Sequence, residues 1–224
     1  MIVAAPLQKS LQPLQRFVFD GLTWATYETL LDSLGENHLR HTYLEGSLEV
    51  VTPSYDHEWS KTLLGDFVAT LCRVSRIPRK NAGSTTMKDE DWDRGLEPDE
   101  CFFIGDESVA AMRGKTQFDV SRDPPPDLVV EIDVTASSDH RIEMYRLKGV
   151  REVWRSKNDT IVFLGLSKNG HYRQIKKSRH FPLLTSQELT RFVAMRHELG
   201  DDTEVELQFE EWVREQIKPR KRRI

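Results

Sequence analysis

The residues most able to do chemistry lie in one short stretch, Asp127-Leu128-Val129-Val130-Glu131-Ile132-Asp133-Val134. Its β-branched run predicts a strand, and strand side chains alternate between faces. Leu128, Val130, Ile132 and Val134 then share one face, and Asp127, Val129, Glu131 and Asp133 share the other. Several carboxylates on one side of an otherwise core-grade strand are costly to desolvate unless something positive neutralises them. At about 3.3 Å per residue, Glu131 and Asp133 stand about 6.6 Å apart along the strand, within reach of one cation or one phosphate. Asp127 lies about 13 Å from Glu131 by the same rise, too far to share a ligand sphere. A further acid, Asp99, follows Pro98 at the start of the apolar run Cys101-Phe102-Phe103-Ile104, a place in a strand that suits proline. If the two strands are neighbours, Asp99 and Glu131 converge on one divalent cation. Hard oxygen donors with retained waters favour Mg²⁺ or Mn²⁺. Such an ion acidifies a bound water and stabilises charge on a phosphoryl group under attack.

The elements that must position these acids can be read from periodicity and punctuation. Thr23 caps a first helix whose Trp24, Tyr27, Leu30, Leu31 and Leu34 recur at helical spacing, with Gly35 as its stop. Two strands follow, at 40–44 and 47–51, joined by Glu45-Gly46 as a tight turn. A long helix is expected over 55–75, with Leu64, Phe67, Val68 and Leu71 inward and His57, Glu58 and Lys61 on its first turns. It ends before Pro78. Residues 81–88 read as extended with a glycine kink at Gly83, and 89–94 as a polar turn or short helix. The Pro98-Asp99 strand runs to Ile104. A connection over 105–123 and the stiff Pro124-Pro125-Pro126 lead into the Glu131 strand.

Beyond that strand, Ser137 or Ser138 caps a helix through Lys148. Strands are expected at 150–155, 160–166 and 172–175, the last two joined by Lys168-Asn169-Gly170. Thr185-Ser186-Gln187-Glu188 is a capping box that opens a short helix, and a final helix spans 202–217. From residue 55 to 156 the order is thus helix, strand, strand, strand, helix, strand. The division expected is a loose leader over 1–18, a main domain over 19–196, a C-terminal helix over 197–217 and a basic tail over 218–224.

Composition narrows the class. A chain of 224 residues suits one domain of ordinary size, with or without a small appendage. A net charge of -4 gives no global attraction to nucleic acid, so polyanion binding has to rest on local patches. The only cysteines, Cys72 and Cys101, fall on segments that read as buried, which argues against a disulfide framework and for a reducing cytoplasm. The N-terminus lacks a basic leader and is broken by Pro6, so no signal peptide is expected. No apolar run approaches the roughly 20 residues of a membrane helix.

Five motifs in order, His57-Glu58, Gly83-Ser84-Thr85-Thr86, Gly95-Leu96-Glu97-Pro98-Asp99-Glu100, Pro124 to Asp133, and Gly149-Val150-Arg151-Glu152-Val153-Trp154-Arg155, carry a resemblance over about residues 20–195. The chain resembles the Uma-two family of restriction-endonuclease-like proteins within the PD-(D/E)xK nuclease superfamily. The resemblance implies an α/β (α+β) fold, a restriction-endonuclease-like αβββαβ core with a mixed central sheet. To that core the chain adds an N-terminal helix and hairpin and C-terminal strands and helices. It also implies a metal-dependent nuclease site acting on DNA, with Asp99 as the Pro-Asp aspartate, Glu131 as its acidic partner and the Ile132 carbonyl as a further metal ligand. The first helix of this fold often donates an acid, here Glu58. Nucleases of this fold commonly act as dimers so that two sites reach both strands, although no residue of the sequence specifies a homodimer.

One position departs from the pattern. The superfamily has a lysine two residues after the glutamate, and here that residue is Asp133. Arg141, one turn into the next helix, and Lys88, before the Pro-Asp strand, are the candidate replacements. Arginine stays protonated and is a poor general base, but it clamps phosphate bidentately. Asp133 either binds metal, and then recruits a second ion, or pairs with Arg141. The same departure admits a catalytically inactive nuclease-fold module that binds or scaffolds, and a small-substrate phosphoesterase is a third reading. Each acid also has a plainer role, since a carboxylate at a strand start is most often a solvated turn residue.

Overall fold

In the computed structural model, residues 15–35, 40–133 and 139–218 are described. The central sheet has six strands, and they fall in the expected order. Helix α2 (Tyr55–Ser75) precedes β4 (Arg79–Gly83), β7 (Glu100–Ile104) and β8 (Leu128–Asp133); α4 (Asp139–Lys148) and β9 (Glu152–Lys157) follow. β4 pairs with β7 and β7 with β8, both antiparallel, whereas β8 and β9 are parallel. That is the mixed αβββαβ core. Two further antiparallel strands, β10 (Thr160–Leu166) and β11 (Tyr172–Ile175), complete the sheet beyond β9.

The two faces of this sheet bury different things. Leu128, Val130 and Ile132 of β8, with Phe102 and Ile104 of β7, pack against Leu63, Leu64, Phe67, Val68 and Leu71 of α2. Helices α5 (Ser186–Leu199) and α6 (Asp202–Ile217) close the same layer. Phe67 and Phe209 approach to 4.2 Å between ring centroids, and Phe192 and Phe209 to 4.9 Å. Burial of an aromatic or large aliphatic side chain is worth about 1.5–3 kcal/mol. With Val205, Phe209 and Val213 all inward, α6 is therefore part of the core rather than an appendage to it. On the opposite face, Cys101, Val129 and Val153 meet Met144 and Tyr145 of α4. β8 is buried on both sides, so the acids on it stand in the middle of the protein.

A second sheet of five strands, ordered β1-β3-β2-β6-β5, carries the hairpin β2 (Arg40–Leu44) and β3 (Ser47–Val51). Helix α1 (Trp24–Leu34) packs on it through Tyr27, which stacks on Tyr43 at 4.5 Å. Three parts of this sheet differ from expectation. Residues 16–18 of the expected leader, with Phe19, form the edge strand β1 (Arg16–Phe19); all four are exposed, which leaves little inward periodicity to read. The single extended segment expected over 81–88 divides at Gly83, whose φ of +59° turns the chain out of β4 and on to β5 (Met87–Asp89) in the other sheet. Its partner β6 (Arg94–Leu96) is too short for a periodicity signal. Elsewhere, the connection after β7 contains a short helix, α3 (Asp106–Ala111), and β9 begins two residues later than expected. The expected cap at Ser137 or Ser138 and most of the basic tail lie outside the described residues.

Candidate active site

Asp99 and Glu131 come together where β7 begins and β8 ends. The β7–β8 register places Glu100 opposite Val130, so Asp99 precedes the paired region just where Glu131 and Ile132 pass it. Asp99 Oδ2 accepts the backbone N–H of Ile132 at 2.7 Å. Within a strand paired in this way, N–H and C=O of one residue face the same edge, so the Ile132 carbonyl also turns toward Asp99. Both acids are buried, at 1% exposure each. Buried carboxylates at such a depth demand positive partners, and arginines supply them.

Arg141 on the first turn of α4 donates to Glu131 Oε1 at 2.9 Å and also to the carbonyl of Glu97. Tyr145, one turn later on the same helix, donates its hydroxyl to the same Glu131 oxygen. Arg40, the first residue of β2, reaches across from the other sheet. Its Nη2 contacts Asp99 Oδ1 and stands 3.7 Å from Glu131 Oε2. Its Nη1 is 2.6 Å from His57 Nε2, and that ring nitrogen lies 3.1 Å from Asp99 Oδ1. His57 Nδ1 faces Glu58 Oε1 at 3.1 Å, and Lys61 faces Glu58 Oε2 at 3.2 Å.

Electrostatics separate the two acids. Burial alone would raise the Asp99 pKa, but Arg40, helped by His57 and Arg141, holds it well below the usual carboxylate range. For Glu131 burial prevails over Arg141 and Arg40, and the neighbouring Asp99 charge adds to it, so its pKa is raised. Burial, followed by the adjacent Glu131, pushes the Tyr145 hydroxyl well above its ordinary value. Tyr145 is thus a fixed hydrogen-bond donor at neutral pH.

These groups back on to a cleft of about 370 Å³ lined by Arg40, Glu58, Lys61, Ser84, Glu97 and Asp99, among others. The other residues singled out from the sequence are distributed as follows. Asp133 is buried and gripped by Arg155 of β9, at 2.7 Å from Nε and 2.6 Å from Nη2, and Arg155 also holds Asp139 at 2.7 Å. Its partner is therefore not Arg141. Lys88, on β5, pairs with Glu28 of α1 at 2.9 Å on the protein surface and is not brought to the cleft. Asp127 accepts the N–H of Ile104 at 2.8 Å and serves the β7–β8 junction. Sequence reasoning missed Arg40, Tyr145 and Arg155. Arg40 reads as a strand end and Tyr145 as an apolar helix residue, and only the tertiary fold brings either to the acids. Arg155 carried a signal, since it closes the last of the ordered motifs.

A family described as "Uma2: Putative restriction endonuclease" matches residues 24–195, a span that contains every residue of this cluster. The chain belongs to that family. Among solved structures, it is similar to one titled a putative nuclease belonging to DUF820 from Anabaena variabilis ATCC 29413. The TM-score is 0.52 at 14% identity, over 77% of this chain and 99% of that one. At that identity the likeness is one of fold, and it extends the Uma2 assignment to the arrangement of sheets and helices. No curated protein matches the chain. Among the described residues, no helix is long and apolar enough to cross a membrane.

Proposed function

We propose that this protein is a metal-dependent endonuclease that hydrolyses phosphodiester bonds in DNA, with Mg²⁺ or Mn²⁺ as its ion. The observation that carries the reading is the convergence of Asp99 and Glu131 on one point at the floor of the cleft. Asp99 Oδ1 is buried and has no hydrogen bond of normal geometry, and Glu131 Oε2 faces the same place. No three His, Cys, Asp or Glu side chains gather as a ready-made ion cage among the described residues. With two carboxylates, the Ile132 carbonyl and water, the donors are nonetheless all hard oxygens, and these fit a magnesium-like ion. When bound there, such an ion supplies an acidified water and takes up charge on the attacked phosphoryl group.

The chain's own residues do the remaining work. The Ile132 N–H orients Asp99 through one oxygen, and the other meets Arg40 and His57. Arg141 and Tyr145 fix Glu131 through one oxygen and leave the second for the ion. Arg141 is thereby a positioning residue, held behind Glu131 rather than presented to substrate. Lys61, on the cleft wall one turn from His57 and Glu58, is the cation placed to meet a phosphate. Glu58 tethers that lysine and stands ready as an outer carboxylate.

Purified protein is expected to nick supercoiled plasmid DNA with Mg²⁺ or Mn²⁺, and to lose nicking on Asp99→Ala or Glu131→Ala. Equal nicking by the variants overturns the assignment. A second reading, a non-catalytic nuclease-fold module, draws on Asp133: the position of the superfamily lysine holds an acid already neutralised by Arg155. An inactive module of this kind gains no thermal stability from Mn²⁺, whereas a metal-binding site raises the melting temperature with ion concentration.

A further inference from the structure

The position between Asp99 and Glu131 is already taken by a cation belonging to the protein. Arg40 touches Asp99 Oδ1, lies 2.6 Å from His57 Nε2 and 3.7 Å from Glu131 Oε2. Yet Arg40 Nε and Nη2 and Asp99 Oδ1 are buried without a hydrogen bond of normal geometry. Arginine–carboxylate pairs are frequently planar forks with paired N–H···O bonds. Arg40 instead meets Asp99 through Nη2 alone and turns Nη1 to His57, and its Nε is left buried without a partner, which is costly.

His57 adds a second conflict. Its Nε2 lies near both the Arg40 guanidinium and Asp99 Oδ1, at 2.6 and 3.1 Å. A neutral imidazole nitrogen accepts from the one or donates to the other, never both. Removal of Arg40 from this spot resolves both conflicts at once.

Charge balance points the same way. Asp99 and Glu131 are matched by Arg40 and Arg141 before any ion arrives. A divalent ion added to that set would leave a buried excess of positive charge, and departure of Arg40 lessens it. We propose that Arg40 is a displaceable counter-ion: it neutralises the carboxylates of the metal-free protein, and a divalent ion binds by driving its guanidinium out toward the cleft it already lines. This inference rests on the metal-dependent reading above.

Calorimetric titration of the full chain with Mn²⁺ tests it. Arg40→Gln removes the competing charge and is expected to bind Mn²⁺ about tenfold or more tightly than the wild type. Arg40→Lys keeps a charge and is expected to bind no more tightly than the wild type. If Arg40→Gln binds no better while Asp99→Asn abolishes wild-type binding, the metal site stands and the counter-ion role is overturned. If neither the wild type nor Arg40→Gln binds Mn²⁺, the metal-dependent reading and this inference both fail. Should Arg40→Gln not fold, a crystal structure of the wild type at saturating Mn²⁺ decides. A guanidinium moved out of the carboxylate pair supports the proposal, and a bound ion with Arg40 still in place overturns it.

Discussion

Replacement of Arg141 by methionine tests whether Glu131 is held as described. The side chain of Arg141 is 9% exposed and that of Glu131 1%, so their 2.9 Å contact is a desolvated ion pair. Breaking such a pair from one side costs about 3–5 kcal/mol, because a charge is left buried without its partner. Two groups soften the loss here: Tyr145 still donates to Glu131, and Arg40 remains 3.7 Å from its other oxygen. The lower end, about 3 kcal/mol, is therefore expected from urea unfolding at neutral pH.

The pH dependence of that loss gives an independent check. Without Arg141, the already raised pKa of Glu131 rises further. The penalty is then complete where Glu131 is ionised in both states. It shrinks as pH falls through the folded pKa, and below the ordinary carboxylate value of 4.5 only the lost bond to the Glu97 carbonyl remains. The double variant Glu131→Gln/Arg141→Met should recover much of the loss, since no unpaired charge is left. A penalty below about 1 kcal/mol, or one independent of pH between neutral and acid conditions, would refute the claim that Arg141 neutralises Glu131.

Three other outcomes follow from the same geometry. Lys61→Gln is expected to reduce nicking by about tenfold or more with Mn²⁺ affinity retained, as measured by plasmid assay and calorimetry, because Lys61 lines the cleft wall and pairs with Glu58 rather than with Asp99 or Glu131. Lys88→Met should leave nicking unchanged and stability within about 0.5 kcal/mol in thermal unfolding, as its bond to Glu28 is a surface pair. Glu49 is held at a pKa of about 2 by His140, against its burial and with help from Arg16. Its stabilising contribution is full above the unfolded value and fades as pH falls from about 4.5 toward 2. Glu49→Gln should remove that part of the acid sensitivity, about 1–2 kcal/mol after solvent screening, as followed by urea unfolding across that window.

Much of this fold was legible because its signals are local. Helix α2 was legible from its inward stripe and its stop before Pro78; the Ser54 hydroxyl, which accepts the N–H of His57, caps it in addition. The Thr185–Glu188 capping box opened α5 where it was read, and the Lys168-Asn169-Gly170 turn set the β10–β11 hairpin. Strands β1 and β6 escaped notice for want of periodicity: one is exposed throughout and the other is three residues long. The site divides along the same line. Asp99 and Glu131 announce themselves as acids on apolar strands, a local conflict between residue type and place. Their partners do not, because an arginine at a strand end becomes a counter-ion only once two sheets are packed together.

The acid in the lysine position changes meaning once its partners are known. An unneutralised Asp133 would add a third carboxylate to the pair and call for a second ion. Arg155, brought alongside by the parallel β8–β9 register, cancels that charge and ties β8 to α4 through Asp139. The cation position is thus left with two acids, and withdrawal of Arg40 would lessen the positive excess that a divalent ion brings beside Arg141. Under the nuclease reading, the positive group that a lysine on β8 would have supplied comes from elsewhere on the cleft. Lys61 on α2 and the displaced Arg40 are the cations that line it.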